Sequence, residues 1–229
     1  MITMKKLPFS LIICLITVVS WAQSKETREL SPFSKISVGQ AIKVHVEKGA
    51  KESCVIETEG IDTRDVLTEV GGRTLKIRLD RNRRKNINVV VHLTYKDING
   101  ISISSAAQVY SKGPIQSDEL EIDVSSAGNG ELDIEVDELE IEVSSSGKLT
   151  IVGTARYQDV DISSAGHLDA YDLKCEEVSV SVSSAGKAKV QASKRIDARA
   201  NSAGSIRYKG NPDKTYARAN SGGAIKRVN

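Results

Sequence analysis

The sequence predicts an all-β fold: a right-handed parallel β-helix (β-solenoid) of about seven coils of about 19 residues, behind an N-terminal β cap. Three observations carry this expectation. A short Ser-Ser-Ala-Gly motif recurs at near-even spacing. The residues before each copy alternate between apolar and polar. A shorter alternation follows each copy.

The copies begin at Ser104, Ser125, Ser144, Ser163, Ser183, Asn201 and Asn220, at spacings of 21, 19, 19, 20, 18 and 19 residues. A catalytic motif is written once, because one reaction needs one site. A motif at even intervals is architecture. Before the copies, Leu120, Ile122 and Val124 alternate with Glu121 and Asp123, and Leu139, Ile141 and Val143 alternate with Glu140 and Glu142. Val178, Val180 and Val182 alternate with serines in the same way. Period two marks a strand with one dry and one wet face. Behind the copies come Leu132/Ile134, Leu149/Ile151, Leu168/Ala170, Ala188/Val190 and Ile206/Tyr208. Each repeat is therefore strand, tight corner, strand, looser corner.

The corner should be a turn ladder of Ser125 and Gly128, Ser144 and Gly147, Ser163 and Gly166, Ser183 and Gly186, Asn201 and Gly204, Asn220 and Gly223. Glycine is expected to supply a positive φ. The leading Ser or Asn is expected to close the bend by bonding nearby backbone, and to bond its counterpart in the next coil. Ala107 replaces the glycine in the first copy and suggests a corner of different shape. One repeat is too poor in apolar bulk to offset its own ordering entropy, so coils must lie on one another.

Residues 1–22 read as a signal peptide: Lys5 and Lys6, a short apolar run, and small residues at Ser20 and Ala22. The mature chain, exported to the periplasm, the outer-membrane surface or the medium, would carry no transmembrane segment. Residues 23–97 read as a β cap or early coils and 98–229 as the repeats. "DTRDVLTEV" from Asp62 reads as a short helix or a turn.

Removing Lys5 and Lys6 leaves 30 basic and 30 acidic residues (32 minus 2, against 30), which argues against nucleic acid as a partner. Charge is nevertheless polarised. Between Asp118 and Glu142 there are 11 acids and no Lys or Arg; from Lys187 onward there are 11 basic residues against Asp197 and Asp213. A second basic run spans Arg81, Arg83, Arg84 and Lys85. The basic end is the candidate ligand surface, through Lys187, Lys189, Arg199, Arg207 and Arg218, facing glycan, lipopolysaccharide or another envelope protein. The acidic row suggests a solvated face, or a glycan or Ca²⁺ cleft without the Arg or Lys partner that polysaccharide lyases use.

No catalytic residue, metal site or cofactor is expected. His45, His92 and His167 are far apart with no ligand spacing, and the other corners lack a histidine beside the serines. Cys54 and Cys175 read as two buried thiols rather than a disulfide.

The order of these segments resembles a known family, the head GIN domain family of putative auto-transporter adhesins of exported Bacteroidetes proteins. The resemblance rests on a leader followed by "FSKISVGQAIKVHVEKG", then "LKIRL", "VVVHLTYKDINGISISSAAQV", the repeats, and "IRYKGNP" with "NSGGAIKRV". It covers about residues 31–228, with Tyr95 standing where the family would place a proline. The resemblance implies surface adhesion and brings no catalytic residues. The expected function is a non-enzymatic binding or adhesion module of the cell envelope. The alternatives are a polysaccharide lyase or hydrolase working on the acidic face, or a purely structural envelope protein.

Overall fold

The computed structural model describes residues 24–80 and 87–228. The leader and the basic run at 81–85 lie outside the described residues. Everything from Gly100 onward forms a parallel stack. Ile115–Val124 lies on Gly100–Ile103, and Asn129–Val143 on Ile115–Val124 and on Gln108–Ser111. Lys148–Ile162 and His167–Val182 follow, each equivalent residue beside its counterpart one coil away.

Each coil has two legs. The outgoing leg, such as 129–136, leaves a tight corner; the incoming leg, such as 138–143, leads into the next. Leu132, Ile134 and Val136 of the first leg and Leu139, Ile141 and Val143 of the second are all buried, and the core is the seam between the legs. The glutamates and aspartates between them face outward. At the looser bend Asp137 is skipped by the pairing, and Arg156 of the next coil bonds its carboxylate at 3.0 Å.

The tight corners are the expected column, built differently than expected. The glycines are not the left-handed residues. Ser126 and Ala127 are, at φ 49° and 60°, and the same two positions repeat at Ser164/Ala165 and Ser184/Ala185. Two consecutive positive φ values are the pattern of a type I′ turn. A backbone bond closes the turn, Gly128 N–H donating to Ser125 O at 2.8 Å. Glycine is needed for close approach instead. A Cβ on Gly166 would lie 2.5 Å from the carbonyl oxygen of Val143 in the coil before. Successive corners are joined by backbone too: Ala127 N–H donates to Ser145 O, Ser146 N–H to Ser164 O and Ala165 N–H to Ser184 O, each at 3.0 Å. The Ala107 corner has the same conformation, with Ser105 and Ala106 at φ 53° and 60°.

An eighth corner carries no serine. Gln40 and Ala41 have φ values of 60° and 59°, and Ala41 N–H donates to Ser105 O at 2.9 Å. This corner joins Lys35–Val38 to Lys43–Lys48, which form a coil beneath Gly100–Ile103 and Gln108–Ser111. Beneath that coil lie Thr74–Leu79 and Asn88–Tyr95, also parallel to it. The chain is thus threaded out of order: the coil of 35–48 sits between the strands of 74–95 and those of 100–111.

Antiparallel strands close this first end. Val66–Gly71 pairs with Thr74–Leu79, Ser53–Glu59 with Asn88–Tyr95, and Ser24–Glu29 with Ser53–Glu59. "DTRDVLTEV" supplies a 3-10 turn at Thr63–Asp65 and then a strand. Arg28 ties the cap together, bonding Glu26, Val66 O at 2.6 Å and Thr63 O at 2.9 Å. That bond to Arg28 holds the Glu26 carboxyl down to about 2. Cys54 and Cys175 are buried, unpaired thiols, pushed up by burial to about 11 and about 12.

Candidate functional site

Because equivalent residues stack, each outward position becomes a column along the rod. On the outgoing face one column runs Glu131, Thr150, Asp169, Lys189, Arg207, Lys226. Its neighbour runs Lys148, His167, Lys187, Ser205. Charge therefore changes sign at Asp169, where Lys189 Nζ bonds the carboxylate at 2.7 Å. Burial and the surrounding lysines hold the His167 imidazole below its usual value.

The spacing of 20 residues after Ser163 has a structural cause. Thr150 pairs with Asp169 but Val152 with Asp172, so one extra residue is accommodated between them. Such a bulge re-aims a side chain. Here Tyr171 comes to lie beneath two cations, with Lys209 Nζ 4.4 Å and Lys189 Nζ 5.4 Å from its ring centroid. Desolvation raises the tyrosine hydroxyl, against the pull of Lys189 and Arg207.

The five predicted ligand residues do not form one patch. Lys187, Lys189 and Arg207 lie together on the outgoing face. Arg199 and Arg218 stack on each other on the incoming face, and Asp197 bonds Arg199 at 2.9 Å. Sequence reasoning missed Tyr171 as part of the basic surface; the one-residue excess in repeat spacing was its only trace.

The incoming face is acidic in the middle coils. Glu121, Glu140 and Asp159 form one column and Asp123, Glu142 and Asp161 the next. Burial, then repulsion from Glu121 and Glu142, pushes the Asp123 carboxyl up. A groove of about 620 Å³ crosses this face, lined by Lys35, Glu121, Glu140, Tyr157 and Arg195 among others. The acidic row is therefore not without a basic partner. Lys35 reaches across Gly100, whose absent side chain leaves room for the lysine stem, and its Nζ bonds Glu121. Arg195 arrives from a later coil. Under the groove, Gln158 takes an apolar core position between Leu139 and Val178, and neither of its amide atoms has a hydrogen-bond partner. Among the described residues no group of three His, Cys, Asp or Glu side chains could hold a metal ion, and no helix is long and apolar enough to cross a membrane.

Solved structures share this architecture. A protein of Bacteroides fragilis described as a putative adhesin superposes with a TM-score of 0.83 at 22% identity, covering 91% of this chain and 98% of its own. A putative adhesin of Parabacteroides distasonis gives 0.72 at 22% identity, over 91% and 98% of the two chains. A protein of the same organism described as a putative lipid binding protein gives 0.68 at 21% identity, over 90% and 97%. No curated protein matches the chain. The family model described as "putative auto-transporter adhesin, head GIN domain" matches residues 32–212, and the chain belongs to that family.

Proposed function

We propose that this protein is an exported, non-enzymatic binding module of the cell envelope that holds an anionic envelope polymer, lipopolysaccharide or an acidic glycan, on the basic outgoing face of its last coils. The observation that carries the reading is the column Lys189–Arg207–Lys226, flanked by Lys187 and Lys209 and by the bulged Tyr171. A run of cations one strand spacing apart, about 4.8 Å, suits a polymer with repeated negative charge. A lone phosphate would need only one of them. Membership in an adhesin family, and structural relatives described as adhesins and a lipid-binding protein, support a binding role.

The test is binding of lipopolysaccharide and of heparin, as a model polyanion, at low salt and at about 0.5 M salt, where the screening length falls to about 4 Å. The wild type should bind and release with salt. The variant Lys187→Gln/Arg207→Gln/Lys209→Gln should bind at least about tenfold more weakly, since three surface charges at up to about 1 kcal/mol each are lost. Salt-insensitive binding, or equal binding by the variant, rejects the reading. Proteolysis of intact cells then decides between the outer surface and the periplasm.

One observation favours a second reading, a polysaccharide-cleaving enzyme: Lys35 and Arg195 stand among the carboxylates of the acidic groove. Product release from uronate polysaccharides that disappears in Glu121→Ala and Glu140→Ala, two carboxylates of the groove, would support it. Binding without turnover supports the module.

A further inference from the structure

The two ends of the rod are finished differently. At the first end antiparallel strands cover the parallel stack, and the outermost, Ser24–Glu29, carries Lys25, Glu26, Arg28 and Glu29. Alternating charges of that kind discourage further strand pairing. At the other end no strand of the described residues covers the last coil. Among the described residues Lys214–Ala219 pairs only with Arg195–Ala200, and Ala224–Arg227 only with Ser205–Lys209. Burial shows the consequence. Ala198 and Ala200 are 1% and 0% exposed, whereas Ala217 and Ala219, the same positions one coil later, are exposed.

The edge is also unsatisfied in hydrogen bonding. Lys214 and Asn220 donate backward, to Lys194 O and Ala200 O, as does Ala224 to Gly204 O. In a parallel ladder alternate residues bond opposite neighbours. The N–H and C=O groups of Thr215, Ala217, Ala219 and Ile225 therefore point out of the end of the stack. The strand has no proline and no bulge to block pairing.

Charge specifies what would cover this edge. Two columns run into it along Lys214–Ala219 as paired cations: Arg195–Lys214 and Arg199–Arg218. Further back, Glu177 meets Arg195 one coil away, as Asp169 meets Lys189, but no carboxylate lies beyond Lys214 or Arg218 among the described residues. A second copy laid end to end would place cations on cations. Its other end, with as many basic as acidic residues in Ser24–Glu29, offers no surplus of carboxylates. The fitting occupant is an extended segment with carboxylates at its outward positions and aliphatic side chains at its inward ones. This chain contains that pattern in Ile115–Val124, where Glu119, Glu121 and Asp123 point out and Leu120, Ile122 and Val124 point in.

We propose that the open end of the solenoid is a docking edge that captures one acidic, alternating strand of a partner protein, adding it to the stack as a further rung. Backbone pairing along Lys214–Ala219 supplies the affinity, and Lys214 and Arg218 select the acidic strand. This surface lies at the end of the rod, apart from the outgoing face proposed to hold polyanions.

The test uses the full mature protein and a fluorescent peptide of the sequence of residues 115–124. Wild type should bind it. Lys214→Glu/Arg218→Glu should bind at least about tenfold more weakly, with two exposed ion pairs lost and two repulsions gained. Ala217→Pro, which removes an outward N–H without removing a ladder bond, should also weaken binding while the melting temperature stays near that of wild type. The variant Lys187→Gln/Arg207→Gln/Lys209→Gln should bind the peptide as wild type does, which separates failure here from failure of polyanion binding. The proposal is overturned by any of three results: wild type does not bind the peptide; the Lys214/Arg218 variant, a pair of exposed side chains outside the core, binds equally well; or a peptide with lysines at the three carboxylate positions binds as tightly. Dimerisation of wild type that Ala217→Pro abolishes also overturns it, because a second copy would then be the occupant.

Discussion

His45 lies flat on His92, with ring centroids 5.4 Å apart and planes 14° from parallel, although the two residues are far apart in the chain. Tyr110 stacks on the other face of His45 at 5.3 Å. The three rings occupy one column because the coil of 35–48 is inserted between the strands of 74–95 and of 100–111. The stack therefore reports the out-of-order threading directly.

It also carries a pH dependence. Burial, followed by His92, Lys112 and Lys43, holds the His45 imidazole below its usual 6.5. The unfolded chain then binds the proton more readily than the folded one, so this residue contributes stability above pH 6.5 that is lost as pH falls. His45→Phe keeps a ring in the stack and removes the titration. The drop in melting temperature from pH 7.5 to pH 5.5 should be smaller in the variant than in wild type. Equal drops would mean that His45 is not held neutral by the stack.

Neighbouring residues in one corner should respond with opposite signs. Ala165 has φ 60°, and Ala165→Gly removes a left-handed cost of about 1 kcal/mol against a larger unfolded-state entropy, leaving the protein unchanged or stabilised by about 0.5 kcal/mol. Gly166→Ala drives a Cβ towards Val143 O and should destabilise by about 1–3 kcal/mol or more. Denaturant melts of the two variants check the pair. A destabilising Ala165→Gly with a harmless Gly166→Ala would return the positive-φ role to the glycine.

Much of this fold was legible because it is written repeatedly. Period-two alternation gave the strands, and the even motif spacing gave the stack. The role of glycine was misread because a sequence shows which residue is flexible but not which backbone passes near it. The corner at Gly39–Ile42 escaped notice because its geometry needs only two tolerant residues, and Gln40 and Ala41 serve without any serine. The Lys35–Glu121 bond and the His45–His92 stack were invisible for another reason: both depend on which coil sits beside which, and the chain order does not state it. The basic residues were visible as a run, but alternation divides such a run between two faces, and Arg199 and Arg218 parted from Lys187, Lys189 and Arg207.

Gln158 is 3% exposed, and its amide nitrogen and oxygen are both unbonded. A buried amide without partners costs about 1–3 kcal/mol. Gln158→Leu, matching the leucine at 139 in the adjacent coil, should raise stability by about that amount in denaturant titration. A loss of stability would mean that the amide is satisfied in solution.

Deleting Tyr171 would restore a spacing of 19 residues after Ser163. The repeat tolerates that length elsewhere, so the variant should fold and remain within about 1–2 kcal/mol of wild type, the range of a typical single change. It should bind heparin more weakly than wild type, because Lys189 and Lys209 lose the ring that gathers them. Undiminished binding would show that the bulge has no part in the basic surface.

Residue-resolved amide hydrogen exchange tests most directly whether each coil is held by the next and the last by none. The N–H groups of Ala127, Ala165 and Ala203 donate to the following corner, at Ser145, Ser184 and Ser221, whereas no corner follows Gly222 among the described residues. Strong protection at Ala127 and Ala165 with rapid exchange at Gly222 is the predicted result. Exchange at Ala165 as fast as at Gly222, or equal protection of both, would contradict a stacked solenoid with one open end.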